Sequence, residues 1–132
     1  MATFHFNLVS PEKLLFSGEV AQVDVPGTEG DFGVLSGHAP FVAMLKPGIV
    51  TVYADGGQQR IVAVGGFAEV GPKGLTILAD QAVALEDFDT ARLATEIKNT
   101  EEDAADAQDG QIKDKLELRL SQLRALQAAV GQ

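Results

Sequence analysis

Phe4, Phe6 and Leu8 alternate with His5 and Asn7, the period of two expected of a strand with one buried face. Val23 and Val25 repeat that pattern around Asp24. Other runs are apolar almost throughout: PFVAML at 40–45, IVTVYA at 49–54, RIVAVGGFAEV at 60–70 and LTILA at 75–79. These predict strands inside a sandwich, covered on both faces or packed on a neighbouring sheet. The breaks between them carry turn chemistry. Asp55, Gly56 and Gly57 suit a tight hairpin because glycine reaches positive φ without strain. Gly71 to Gly74 with Pro72, and Lys46-Pro47-Gly48, predict two more turns. Roughly eight or more strands at this spacing predict an antiparallel sandwich or flattened barrel. There is no βαβ alternation, so a parallel nucleotide-binding sheet is excluded.

After Leu85 the period changes from two to three and four. Between Asp87 and Ala107 there is no Gly or Pro, alanines accumulate, and Asp87 or Asp89 supplies an N-cap, all of which predict a helix. Asp109 and Gly110 break it, and a second helix is predicted from Gln111 to Ala129 with an apolar stripe of Ile112, Leu116, Leu120, Leu123, Leu126 and Val130. The first helix has a thinner stripe of Leu93, Ile97 and alanines, and Leu118 falls off the stripe of the second. Burial on such stripes supplies only a few kcal/mol at about 25 cal/mol per Å², comparable with the entropy of ordering the segment. The hairpin should therefore be detachable. The expected organisation is a β-sandwich over residues 1–86 and a C-terminal α-helical hairpin over 87–132.

Composition narrows the function. With 45% hydrophobic and 22% charged residues in 132, the chain is of ordinary globular make-up. MATFHFNLVS lacks the basic start and apolar stretch of a signal peptide, which predicts a cytosolic product. There is no cysteine, and His5 and His38 are the only imidazoles, so thiol and metal chemistry are nearly excluded. A net charge of −9 argues against nucleic acid. Acids dominate residues 86–109, whereas 110–132 is the net-basic segment, with Lys113, Lys115, Arg119 and Arg124 against Asp114 and Glu117.

The stretch GTEGDFGVLSGHAPF, residues 27–41, holds the candidate chemistry. Its glycines at 27, 30 and 33 superficially resemble a phosphate cradle, but no Lys-Ser/Thr and no helix start comes after them. It reads instead as a connection needing positive φ, or as an exposed loop that presents Glu29, Asp31 and Phe32 to a partner. His38 has no nucleophile motif to serve and reads as a structural or interface histidine. Glu101, Glu102, Asp103 and Asp106 lie in helical register, not in calcium-loop spacing, and read as a solvated face. A free-standing sugar-binding sandwich is disfavoured by the absence of Trp and the single Tyr. A small enzyme would lack nucleophile, metal set and cofactor motif.

The strings SPEKLLFSGEV, PGTEGDFGVLSGHAPFV, LKPGIV, GGFAEV and LTILAD, with an Ala-rich helical pair after them, resemble the epsilon subunit family of the F-type ATP synthase, equivalent to mitochondrial delta. The resemblance covers essentially the whole chain. It implies an antiparallel β-sandwich of ten strands with a C-terminal helical hairpin, and a non-catalytic place in the central stalk. It implies contact with the c-ring through Glu29, Asp31 and Phe32, and with the gamma subunit through His38, Pro40 and Val42. The helical pair is implied to be regulatory, reaching the alpha and beta subunits through Lys113, Lys115, Arg119 and Arg124 and inhibiting ATP hydrolysis. Some members bind ATP through Ile/Leu-Asp-x-x-Arg-Ala; in FDTARL only Asp89 and Arg92 match, while Phe88 and Leu93 depart, which leaves a degenerate site, an expectation of no ATP binding or only weak binding, and no cofactor. Membrane association is implied only through the complex, at the cytoplasmic face of a bacterial inner membrane.

Overall fold

Alternation is realised in the first strands. The chain forms β1 (Phe4–Val9), β2 (Leu14–Val20), β3 (Gln22–Val25), β4 (Phe32–Leu35), β5 (Phe41–Met44), β6 (Gly48–Ala54), β7 (Gly57–Gly71) and β8 (Gly74–Ala84). The computed structural model describes residues 2–131, and its contacts divide the chain into two compact units, the first ending at Phe88 and the second beginning at Asp89. In the first unit the turns fall at Asp55-Gly56 and at Pro72-Lys73, where the glycine and proline signals put them.

Hydrogen-bonded neighbours run β2-β1-β8-β7-β6-β3-β4, with β5 joined to β7. The two long strands serve two layers. β6 pairs with the first part of β7, Gly57 to Ala63, whereas β5 pairs with its last part, Phe67 to Val70. β1 runs parallel to the first part of β8, Gly74 to Leu78. One layer is therefore β5-β7-β8-β1-β2 and the other β8-β7-β6-β3-β4. The bend lies at Gly65-Gly66, opposite Ala79 and Asp80. Gly66 has φ 110°, and a Cβ there would stand 2.8 Å from the Ala79 Cα and overlap the Leu78 carbonyl, so a side chain at this position is excluded both by conformation and by space.

Among the described residues the expectation of ten strands is corrected to eight, because β7 and β8 each continue unbroken through the bend instead of ending there. Five strands per layer are still present. The inner faces meet in a core of Phe6, Leu8, Val20, Ala68, Val70, Leu75 and Ile77 from one layer, and Val23, Val25, Val34, Val50, Val52 and Ile61 from the other. Phe16 extends it, its ring 5.5 Å from that of Phe6.

The second unit is a pair of helices, α1 (Thr90–Asp106) and α2 (Gly110–Val130). Asp89 is the cap of α1, its carboxylate accepting from the Arg92 amide at 3.0 Å. Asp109 caps α2, accepting from the amides of Gln111 at 2.8 Å and Ile112 at 3.2 Å. Gly110 is thus the first residue of α2 and not a breaker; the break is made by Ala107 and Gln108. Leu93, Ile97 and Ala104 of α1 and Leu120, Leu123 and Leu126 of α2 are buried. Ile112, expected on the buried stripe, is 54% exposed. It sits in the first turn of α2, at the end of its stripe. Leu118 is exposed, as its position off the stripe predicts.

Candidate functional site

The segment from Pro26 to Lys46 is built as a folded-back ribbon. The Thr28 amide donates to the Met44 carbonyl at 2.9 Å and the Lys46 amide to that of Pro26 at 3.1 Å. Gly30, at φ 132°, turns the chain so that its amide reaches the Gly27 carbonyl at 3.1 Å. Glu29 and Asp31 stand exposed at this turn, and the Lys46 ammonium pairs with Asp31 at 3.1 Å.

Past this turn the chain is strand and not loop. Residues 32–35 form β4, paired with β3 from Phe32↔Val25 to Leu35↔Gln22. Phe32 is consequently half-buried against the core, which corrects its reading as an exposed presenter. Sequence alone missed this because FGVL is short, contains Gly33 and lies between Gly30 and Gly37. His38, Pro40 and Val42 are all exposed. The His38 Nδ1–H donates to the Ala39 carbonyl at 2.7 Å, since a carbonyl only accepts. Phe41 joins the two predicted contact sets: its ring lies edge-on to Phe32 at 5.3 Å and 6.3 Å from His38.

The largest unanticipated feature is on the outer face of the β5-to-β2 layer. Register places Met44 beside Phe67, Phe67 beside Leu78, Leu78 beside Val9 and Val9 beside Leu14. Residues directly opposite share a face, so these five side chains form one row across all five strands. Met44 is 59%, Leu14 58% and Leu78 42% exposed, with Phe67 also exposed and Val9 half-buried. PFVAML, expected to be covered on both faces or packed on a neighbouring sheet, is the edge strand of its layer, and its outer face is open. Its doubly apolar composition was the available signal, and it does not say which face a protein covers. Large exposed apolar groups in one patch mark an interaction surface.

Polar clusters flank this face. His5 lies 3.2 Å from Glu19 and 3.2 Å from Asn7, and Ser17 donates to Asn7 at 2.7 Å. A cleft of about 370 Å³ at that end is lined by His5, Glu19, Ser36, His38 and Lys73 among others. On the other layer the Tyr53 hydroxyl donates to Asp24 at 2.9 Å, and Gln22 donates to the same carboxylate at 2.7 Å. The Asp24 hydrogen bond, then burial and the nearby Asp24 charge, raise the Tyr53 pKa above its ordinary value.

In the helical unit, Arg119 pairs with Glu96 at 3.0 Å and Arg124 with Glu101 at 2.8 Å, both across the two helices. Lys113 and Lys115 are exposed and make no ion pair among the described residues. Asp89 and Arg92 meet only through the capping bond, carboxylate to amide. No helix among the described residues is long and apolar enough to cross a membrane.

Strand layering and the two C-terminal helices together define a β-sandwich domain followed by a helical pair. A family model described as ATP synthase, Delta/Epsilon chain, beta-sandwich domain matches residues 3–85. The ATP synthase epsilon chain of Bradyrhizobium sp. (strain ORS 278) is 57% identical over 127 residues, covering 96% of this chain and 93% of that one. That of Nitrobacter winogradskyi is 54% identical over 131 residues, covering 99% and 96%. The chain belongs to the ATP synthase delta/epsilon family. Its fold matches a chain in the mitochondrial ATP synthase of Euglena gracilis, a structure of OSCP, F1 and c-ring, with TM-score 0.82, 30% identity, and 98% of this chain and 82% of that one covered. A chain of the Tetrahymena thermophila mitochondrial ATP synthase central stalk and c-ring shares the fold at TM-score 0.65 and 14% identity, covering 98% and 97%.

Proposed function

We propose that the chain is the non-catalytic rotor subunit of a proton-translocating F-type ATP synthase, linking the gamma subunit to the membrane c-ring. The observation that carries the reading is the exposed apolar row on a sandwich of this family, a surface that water disfavours and a permanent partner would cover. In this reading the gamma subunit takes the outer face of the β5-to-β2 layer, with His38, Pro40 and Val42 at its border. Glu29 and Asp31, with Phe32 behind them, meet the c-ring. The subunit is then peripheral to the cytoplasmic face of a bacterial inner membrane, held there only by the complex. Residues 87–132 regulate, through Lys113, Lys115, Arg119 and Arg124 directed at acidic surface of the alpha and beta subunits.

The test uses the assembled enzyme in membranes with the full chain or with residues 1–86 alone. Retained assembly and proton-driven synthesis, with faster ATP hydrolysis in the truncated form, is the expected outcome. Failure of the truncated chain to join the complex sinks the division of labour between the two parts. Glu29→Lys with Asp31→Lys should lower proton-driven synthesis, because Asp31 would change from partner to like charge of Lys46 as well as of any cationic ring loop. Unchanged synthesis excludes the ring contact.

A further inference from the structure

We propose that the outer face of the β5-to-β2 layer receives a single amphipathic helix of the gamma subunit, laid across the strands along Met44, Phe67, Leu78, Val9 and Leu14, with cationic side chains on both borders of its apolar stripe. The inference deepens the gamma-docking reading above and rests on it.

The shape of the apolar surface sets the kind of partner. It is five strands long but one residue wide. The neighbouring row on the same face runs Val42, Glu69, Thr76, Asn7 and Ser17, so it is apolar only at the edge strand. On the other side of the row the next outward position of β8 is Asp80. A second sheet packs through a two-dimensional apolar face, whereas a helix presents a stripe. The row is a stripe. Backbone groups of β7, β8 and β1 are taken up by ladders on both sides, so this face offers no main-chain partners. Whatever lies on it must satisfy its own backbone, as a helix does. Strands stand about 4.8 Å apart, so the row is about 19 Å long, the rise of about 13 helical residues, or between three and four turns.

Charge sets the borders. Glu69 and Asp80 are exposed, Glu69 two residues from Phe67 and Asp80 two residues from Leu78 on the opposite side of the row, and neither makes an ion pair among the described residues. Lys or Arg flanking an apolar stripe can lay their stems along the row and reach these carboxylates with their heads.

The experiment places a photo-cross-linking phenylalanine analogue at Met44, Leu78, Val9 or Leu14 of the full chain, one position at a time, with purified gamma subunit as the probe. Binding of the unmodified chain is measured first. The expected adducts fall within one gamma segment of about 13 residues, at spacings of three and four, in an order that runs from β5 to β2. Glu69→Lys with Asp80→Lys should weaken binding about tenfold and flatten its salt dependence, whereas Leu118→Asp on α2 should leave it unchanged. Adducts at every second residue, or scattered over separate segments, overturn the helix. So does binding without any adduct, which leaves gamma docking itself standing. No binding by the unmodified chain removes both.

Discussion

The sandwich and the helical pair hold themselves together in different ways. In the sandwich, side chains from two layers are fully buried against each other, with Phe6, Leu8, Val23, Val50, Ile61 and Ile77 inaccessible to water. In the helical pair the buried set is Leu93, Ile97, Ala104, Leu120, Leu123 and Leu126, and much of the specific contact is polar: two aspartate caps and two exposed arginine–glutamate pairs. Core packing is short-ranged and nearly indifferent to salt. Exposed ion pairs are weak and screened. The contrast teaches that one unit rests on packing that salt leaves alone, whereas the other rests in part on exposed contacts that salt weakens.

The most severe test of that contrast is a core truncation in each unit. Phe6→Ala should destabilise the sandwich by about 3–5 kcal/mol, read by the fluorescence of the single tyrosine, Tyr53, during denaturation. Leu123→Ala, at about 2 kcal/mol, should appear in the helical circular dichroism and leave the Tyr53 transition in place. A shift of the Tyr53 midpoint by Leu123→Ala as large as that by Phe6→Ala would erase the distinction. Next in size are the caps. Asp89→Ala and Asp109→Ala should each cost the helices about 1 kcal/mol, seen as faster amide exchange in the first turns of α1 and α2. Smaller still, Glu96→Gln and Glu101→Gln should each cost about 0.2–1 kcal/mol at low salt, and the difference from the parent chain should vanish in about 1 M salt. A salt-independent cost would mean that the pairs act through packing.

The finest test is a titration. The raised Tyr53 pKa means that its hydrogen bond to Asp24 favours the protonated phenol in the folded chain. The stability it contributes is complete below the ordinary tyrosine value and is lost as pH rises through the raised one. Ultraviolet titration should give a Tyr53 midpoint above 10.0, and Asp24→Asn should bring it down. An unmoved midpoint in that variant would assign the shift to burial.

Legibility in the sequence tracked the physics of each element. Alternation in Phe4 to Leu8 and Val23 to Val25 gave the correct inner faces, because a half-buried strand imposes period two on its own residues. Hairpin turns were legible at Asp55-Gly56 and Pro72-Lys73, where the glycines and proline have few alternatives. The cap at Asp89 and most of the α2 stripe were equally local. What failed was everything decided by a distant neighbour. Phe41, Val42 and Met44 look like core in composition, yet nothing within the strand says that β5 ends its layer. Phe32 looked like a loop residue because the strand it pairs with, β3, lies on the far side of a glycine-rich turn. The row from Met44 to Leu14 draws on five separate strands, so no window of sequence contains it.

The bend at Gly65-Gly66 has a mechanical meaning. Because β7 and β8 run on through it, the two layers are laced together by the same pair of chains. Sliding one layer over the other would require stretching covalent backbone or unzipping the ladder that joins β7 to β8. A push on the outer face therefore reaches the opposite layer through bonds and not through contact alone. The sandwich resists shear as a stiff block, and two adjacent glycines are what permit that lacing.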